Sequence, residues 1–394
     1  MKTGKVILIG KVHYHGLGLA RCFGEKGIKP YGIIVVDGRD DWMQSSRYWE
    51  KLIYVDTDEE ALDYLLENFG DSKVPDTVIA WSDASVSCLD LNIDRLKGKF
   101  IYASIQNTSG QINAWMQKDK QVDLAHILGL PSAQTAILNI PLQKEEYQKL
   151  LKKLKFPYIL KPVASYEGKK TDIRRIDDSR QLKAYISVLQ EKGYHRVLVQ
   201  EFLEIETEYD FMGYVNNASS AYAVIKKERN WPAVGGSTCF GKIIAASQYE
   251  GVFEQIVKKL SDFGYSGMFD MDLFLVNGQM YFNEINWRSS ANVFAALACG
   301  INYPYEWYLS RTDHEHKGII HEYKGEDLYL MNEIWDFRLV QGKYLTFLKW
   351  ISDVRKTKAF AFYNKNDKKP FIKRIASPVE KKINGIKARK NVDK

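Results

Sequence analysis

Acidic and amide side chains gather around one predicted hairpin in the second half of the chain. Segment 267–291 reads GMFDMDLFLVNGQMYFNEINWRSSA, in which two short apolar stretches flank an Asn-Gly pair, a strong signal for a two-residue turn. Side chains alternate between faces along a strand, so the polar residues of each strand share a face and the turn can bring the two sets together. The polar residues are Asp270 and Asp272 in the first strand, and Glu284 and Asn286 in the second.

These oxygen donors are typical of a site for a hard cation. Carboxylates and an amide, with no Cys or His beside them, suit Mg²⁺ held together with phosphate oxygens. Acids that face inward next to Val, Phe, Met and Tyr are costly to bury unless a cation neutralises them. The alternative interpretation is a hairpin whose acids are simply solvated.

Upstream, a lysine lies inside an apolar segment that is predicted to be a strand, Tyr158–Val163 (YILKPV). A buried Lys161 needs an anionic partner. The small, polar loop that follows at 164–171 (ASYEGKKT) could fold over phosphates through its backbone amides and lysines, with an ordinary hairpin loop as the alternative. Both features indicate a binding site for phosphate groups.

Two further segments have residue types that suit substrates. An acidic connection follows the predicted strand Arg196–Gln200, and its backbone could hold a purine while a carboxylate binds ribose hydroxyls. A solvated connection is the alternative. Farther along, Arg229 precedes a Gly-Gly-Ser-Thr segment at 235–238, which indicates a loop that binds an anion or substrate.

Composition and patterning bound the class of protein. The 394 residues suffice for two or three domains, and 45% hydrophobic with 27% charged residues is ordinary for a globular protein. No apolar run reaches eighteen residues, and four scattered cysteines fit a reducing cytoplasm. The net charge is +7, but no nucleic-acid-binding motif accompanies it, so nucleic acid is not an expected partner. Strands and helices alternate over residues 1 to about 112, which predicts a parallel sheet covered by helices.

Taken together, these motifs resemble the ATP-grasp superfamily. The resemblance spans about 116–300 and depends on several motifs in order: Asp119-Lys120, Ile159-Leu-Lys161-Pro, Ser165–Lys170, Val199-Gln-Glu-Phe-Leu203, Glu208, Asp272 and Glu284-Ile-Asn286-Trp-Arg288. Within the superfamily the chain looks most like carboxylate–amine ligases of the D-aspartate ligase and carbamoyl-phosphate-synthase-like branch. The implied fold is α/β and α+β. We expect a Rossmann-like preceding domain at 1–115, a small lobe or lid at 116–199, a large lobe with the Mg-ATP site at 200–310, and a C-terminal extension with a basic tail at 311–394.

The resemblance also implies roles for individual residues. The phosphates of ATP would contact Lys120 and Lys161, under a closing loop that contains Ser165 and Gly168. The adenine hinge and the ribose site would consist of Gln200, Glu201, Phe202, Leu203 and Glu208. The ligands of Mg²⁺ or Mn²⁺ would be Asp272, Glu284 and Asn286, with Asp270 as the alternative first ligand. The catalytic residues would be Arg288, which steadies the transferring phosphoryl group, with Lys161 and Arg229.

The expected activity is ATP-dependent ligation of a small-molecule carboxylate to an amine through an acylphosphate, in the cytoplasm, on a cell-envelope or polysaccharide precursor. Two alternatives stay open: a kinase or carboxylase-like relative, and a nucleotide-binding protein that has lost its chemistry. The basic tail is interpreted as solvated, with weak contact with an anionic membrane surface as its alternative. A homodimer is a further partner that the resemblance allows.

Overall fold

The computed structural model describes residues 4–36, 42–71, 73–118, 120–162, 172–217, 219–233, 236–249, 251–313, 315–316 and 318–376. The chain divides into two compact units. Unit 1 comprises 1–113, 210–270 and 286–394, and unit 2 comprises 114–209 and 271–285. The four domains expected from the sequence stay a prediction.

The described strands are β1 Val6–Lys11, β2 Tyr31–Val35, β3 Lys51–Val55, β4 Asp76–Ala80, β5 Phe100–Ile101, β6 Ser104–Ile105, β7 Thr135–Asn139, β8 Tyr158–Pro162, β9 Arg174–Ile176, β10 Arg196–Glu201, β11 Thr207–Asn216, β12 Ser219–Trp231, β13 Ser237–Ile244, β14 Tyr265–Val276, β15 Gln279–Asn286, β16 Ile320–Glu322, β17 Leu328–Met331 and β18 Ala359–Phe360. The described α-helices are α1 Tyr14–Gly24, α2 Asp58–Asn68, α3 Asp83–Leu91, α4 Ile93–Leu96, α5 Gln111–Trp115, α6 Lys120–Leu128, α7 Lys144–Lys153, α8 Ser179–Glu191, α9 Val252–Asp262, α10 Val293–Ala298, α11 Tyr303–Thr312, α12 Glu333–Gln341 and α13 Phe347–Lys356.

Unit 1 begins with a five-stranded parallel sheet in the order β3-β2-β1-β4-β5. The central strand β1 is buried over its first five residues, as expected for a parallel strand covered on both faces. Each strand-to-helix turn places the start of its helix at the carboxyl edge of the sheet. In this sheet, the prediction from alternating strands and helices is confirmed.

A nine-stranded sheet supplies most of the remaining strands, and seven of them follow the order β15-β14-β11-β12-β13-β17-β18. Strand β16 pairs with β12, and β6 pairs with β14. The boundary between the units falls inside β11, β14 and β15. Arg229, expected near an anion-binding loop, lies within a strand, because β12 continues to Trp231 and pairs there with Ser237 of β13.

Unit 2 contains a four-stranded antiparallel sheet in the order β7-β10-β8-β9. Its core is formed by one face of this sheet and by the apolar stripes of α7 and α8, including Leu150, Leu182 and Ile186. Helix α8 begins at Ser179 because the Asp178 carboxylate accepts hydrogen bonds from the backbone amides of Arg180 and Gln181. Helix α6 begins at Lys120.

Candidate functional site

The predicted hairpin turn is present between β14 and β15. Asn277 and Gly278 have φ values of 49° and 73°. Positive φ at both central residues is the requirement of a type I′ turn, which matches the twist of the flanking strands and explains why Asn-Gly occupies these positions. The turn thereby fixes where along each strand the acidic and amide residues fall.

In unit 1, hydrogen bonds and ion pairs connect Asp270 of β14 with Asn286 at the end of β15 and with Arg288 just after it. The Asn286 side-chain amide donates to a carboxylate oxygen of Asp270 at 3.3 Å, and Arg288 donates to the same oxygen at 3.1 Å. Arg288 also donates to Asp83 at 2.8 Å. Burial alone would lower the pKa of Arg288, but the carboxylates of Asp83 and Asp270 have the larger effect, and the pKa of Arg288 is raised. Arg288 is therefore a fully charged cation held in a fixed direction.

Asp270 and Asn286 face the same side of the hairpin, because their side chains meet. The alternation of side chains then predicts that Asp272 lies on the face of Asp270, and Glu284 on the face of Asn286. Within unit 1 this face carries Asp270 and Asn286, and within unit 2 it is expected to carry Asp272 and Glu284. No group of three or more His, Cys, Asp or Glu residues with metal-ligating geometry occurs among the described residues.

The donor set nevertheless fits Mg²⁺ in one respect. Mg²⁺ usually keeps several waters and binds through one or two carboxylates together with substrate phosphates, rather than in a cage of protein ligands alone. Asp272 and Glu284 supply two carboxylates of this kind. The Asp270 carboxylate is paired with Arg288 at 3.1 Å, and the choice between Asp272 and Asp270 as the first ligand stays a prediction.

In unit 2, two lysines and one acid form an electrostatic cluster. The pKa of Lys161 is lowered, mainly by burial; the Glu284 carboxylate opposes this change, and Lys118 adds to it. Two cations close enough to repel each other form a site that a bound anion would stabilise. That Lys161 contacts phosphates stays a prediction.

Lys118 is a lysine close to Lys161 to which the sequence analysis gave no role, and the predicted role of Lys120 stays a prediction. The prediction placed the first phosphate contact at Lys120, which the structure pairs with Asp123 at 3.0 Å, with both side chains about half exposed. Lys118 instead lies close enough to Lys161 to lower its pKa. The sequence did contain a signal, since KDK offers two lysines, but only the observed start of α6 at Lys120 separates them.

The predicted adenine hinge follows β10 in unit 2. The backbone amide of Glu201 donates to Gln134 at 2.8 Å, and the Glu201 carboxylate accepts from the backbone amide of Gln134 at 3.2 Å. The amide of Phe202 donates to Pro157 at 3.3 Å, and Arg175 stacks over the Phe202 ring at 4.3 Å. These contacts fix the course of the backbone through the hinge.

The remaining hinge and ribose residues also belong to unit 2. The Gln200 amide approaches the Thr135 hydroxyl at 3.4 Å, and Leu203 and Glu208 are partly buried. The predicted closing-loop residues Ser165 and Gly168, like Asp119, lie outside the described residues. The structure therefore describes the hinge of the predicted nucleotide site but not its closing loop.

Arg229 has a different setting from the anion-binding loop that the sequence suggested. It lies on β12 and makes two parallel hydrogen bonds of 2.9 Å to Asp336, and a third of 2.7 Å to Asp353. Its guanidinium also stacks on the Phe240 ring at 3.9 Å. These contacts connect β12 to α12 and α13. Its catalytic role stays a prediction, while the contacts themselves indicate a structural one.

Two histidines follow β1 at the carboxyl edge of the parallel sheet. The His15 ring lies 2.6 Å from the Ser289 hydroxyl, and both side chains are buried. Burial and the positive charge of Arg288 lower the pKa of His13 to about 4 and that of His15 well below its usual value. Both rings are therefore neutral near pH 7 and serve as hydrogen-bonding groups.

Comparison with known proteins identifies a domain that contains Lys161 and the hairpin of β14 and β15. Residues 125–293 match the family model of the ATP-grasp domain. The chain therefore contains an ATP-grasp domain, and the resemblance found in the sequence is confirmed. A comparison with curated proteins gives no matching sequence.

Solved structures show the same fold over most of the chain. N5-carboxyaminoimidazole synthetase from Staphylococcus aureus is 15% identical, with a TM-score of 0.64 over 87% of this chain and 86% of that chain. An L-amino acid ligase from Bacillus licheniformis is 14% identical, with a TM-score of 0.58 over 81% and 78%. Phosphoribosylglycinamide synthetase from Anaerococcus prevotii is 14% identical, with a TM-score of 0.56 over 77% and 74%. At these identities the similarity establishes the fold.

Proposed function

We propose that the protein is an ATP-dependent carboxylate–amine ligase that forms an amide-type bond through an acylphosphate. The observation that carries the proposal is the cluster of Lys118, Lys161 and Glu284, of which Lys161 and Glu284 lie within the ATP-grasp domain. Supporting it, the Staphylococcus aureus synthetase has also been solved as a complex with ADP, and an L-amino acid ligase has the same fold.

Each part of the cluster has a task in binding ATP. The two lysines would neutralise the phosphates, and their mutual repulsion would be relieved by the bound anion. The segment Gln200–Leu203 would hold the adenine through its backbone, and Glu208 would accept from the ribose hydroxyls. Mg²⁺, when bound by Asp272, Glu284 and the phosphates, would neutralise the charge that develops on the transferred group.

The reaction then follows two balanced steps. A carboxylate oxygen of the first substrate attacks the γ-phosphorus of ATP, and ADP leaves. The amine nitrogen of the second substrate then attacks the carbonyl carbon of the acylphosphate, inorganic phosphate leaves, and the nitrogen loses a proton. Arg288 would hold the phosphoryl group in place, since a fixed cation needs no reorganisation as charge develops.

The test is to incubate the protein with ATP, Mg²⁺ and pools of amino acids and other small carboxylates and amines, and to measure ADP and phosphate. We expect both products in equal amounts, and only when a carboxylate and an amine are present together. Release of AMP and pyrophosphate would contradict the acylphosphate route. Tight ATP binding without turnover in any pool would favour a nucleotide-binding protein without ligase chemistry.

A further inference from the structure

Three large apolar side chains are exposed within five residues at the start of α13. Leu348 is 82% exposed, Tyr344 is 71% exposed and Phe347 is 55% exposed. We call these three residues the α13 surface. Single exposed apolar residues are common, but a Leu, a Phe and a Tyr together at one helix start form a patch that needs a partner.

Helix α13 presents this surface in a fixed direction. Its buried residue, Asp353, pairs with Arg229 at 2.7 Å and with Lys356 at 3.1 Å. Successive residues in a helix turn by about 100°. Leu348 therefore points well away from Asp353, and Arg355, two turns farther on, shares the outward face with Leu348. The outward face of α13 is thus both apolar and basic.

The charge around this part of the chain identifies the kind of partner. Residues 341–356 contain four Lys and Arg but a single acid, a net charge of +3. That acid is Asp353, which is buried and already paired. Basic and apolar side chains thus occur together at the start of α13 and along it.

We propose that the α13 surface binds the protein to an anionic membrane surface. Apolar side chains that enter the acyl boundary and basic groups that pair with anionic headgroups together give reversible attachment. A second copy of the chain fits less well, because pairing this surface with itself would bring like charges together. The inference is independent of the proposed ligase activity.

The test is co-sedimentation of the full chain with vesicles of phosphatidylglycerol and phosphatidylcholine, and with phosphatidylcholine alone. The variant is Tyr344→Ser/Leu348→Ser, which leaves Phe347 on the ring of Trp350, where the two stack with centroids 6.0 Å apart. The control is Leu91→Ser/Ile320→Ser, which removes two apolar side chains that are 54% and 56% exposed elsewhere in unit 1. Light scattering of each protein without vesicles reports its oligomeric state.

We expect the wild type to bind the anionic vesicles and to be released by high salt. The variant should partition at least about tenfold more weakly, and the control should match the wild type. Equal binding to both kinds of vesicle, or a variant that binds like the wild type, would refute the proposal. A wild-type dimer that the variant converts to a monomer would instead identify a second copy as the occupant.

Discussion

Replacing Arg229 tests whether this residue stabilises the fold or takes part in catalysis. The guanidinium holds two carboxylates that are completely buried, Asp336 and Asp353. The change Arg229→Met keeps an apolar stem over Phe240 but removes the charge. Both carboxylates then lose a partner at once, without any change in the predicted nucleotide site.

The loss of Arg229 does not destabilise the two carboxylates equally. Asp353 keeps Lys349 at 2.5 Å and Lys356 at 3.1 Å, so its charge stays compensated. Asp336 loses both guanidinium contacts and retains the thiol of Cys239 at 3.3 Å as its side-chain partner. Breaking a buried ion pair by removing one partner costs about 3–5 kcal/mol. We therefore expect the free energy of unfolding to fall by roughly this amount, mostly because Asp336 is left as an uncompensated buried charge.

The assay is urea unfolding followed by tryptophan fluorescence, together with phosphate release. A second change, Asp336→Asn in the Arg229→Met background, removes the uncompensated charge and should recover a large part of the stability. The control is Arg95→Ala, which breaks a pair with Asp63 in which both side chains are more than half exposed. The free energy of unfolding of Arg95→Ala should be at most about 1 kcal/mol below that of the wild type.

A catalytic role for Arg229 gives the opposite pattern. In that case Arg229→Met would unfold at nearly the wild-type urea concentration while phosphate release collapsed, and the Asp336 change would restore nothing. This result would refute the structural reasoning and return Arg229 to the anion-binding role suggested by the sequence. Loss of stability with recovery in the double variant would support the structural role.

Three further predictions address nucleotide binding, turnover and pH. Lys118→Ala should weaken ATP binding, measured by calorimetry, at least about tenfold, and Lys120→Ala should weaken it by less than about threefold. The reason is that Lys118 lies near Lys161, whereas Lys120 is paired at the surface. Equal effects of the two changes would contradict this assignment. Glu284→Gln should reduce Mg²⁺-dependent phosphate release by at least about a hundredfold with an unchanged circular dichroism spectrum, and near-normal activity would show that the metal assignment is wrong. Burial raises the pKa of Glu333 from 4.5 to about 7, so the folded protein keeps a proton that the unfolded chain releases. The free energy of unfolding should therefore fall by about 3 kcal/mol as pH rises from 4.5 to 7. In Glu333→Gln the free energy of unfolding should vary less with pH over this range, and an unchanged pH dependence would exclude Glu333 as its cause.

The sequence predicted the elements whose signals are local. An Asn-Gly turn flanked by apolar strands predicts a hairpin wherever it occurs, and the alternation of strands and helices before residue 112 predicts a parallel sheet. The ordered motifs from Lys161 to Arg288 identified the ATP-grasp domain because they need no knowledge of distant contacts. In each case the physical determinant is contained within a few neighbouring residues.

What the sequence could not predict depends on partners far away along the chain. Arg229 and its glycine-containing neighbours resemble an anion-binding loop, but its partner Asp336 lies 107 residues later on α12. The choice between Lys118 and Lys120 depends on where α6 begins, and helix starts are the least certain feature of a sequence pattern. The setting of Arg229 thus arises from a tertiary contact that no local pattern contains, and that of Lys120 from a helix boundary that the pattern leaves uncertain.

The same distance argument explains the role of the N-terminal parallel sheet within unit 1. Two of its carboxyl-edge segments reach the residues that follow β15: Asp83, after β4, pairs with Arg288, and His15, after β1, contacts Ser289. The carboxyl edge is where parallel sheets usually bind ligands. Here it instead orients a cation next to Asp270 at the end of the predicted metal-binding hairpin. The glycines after β1, Gly16 and Gly18, lie inside α1, where a Cβ would meet Trp81 and Val293. They let α1 pack closely while His15 contacts Ser289, the residue next to Arg288, and so the sheet helps to fix the direction of Arg288.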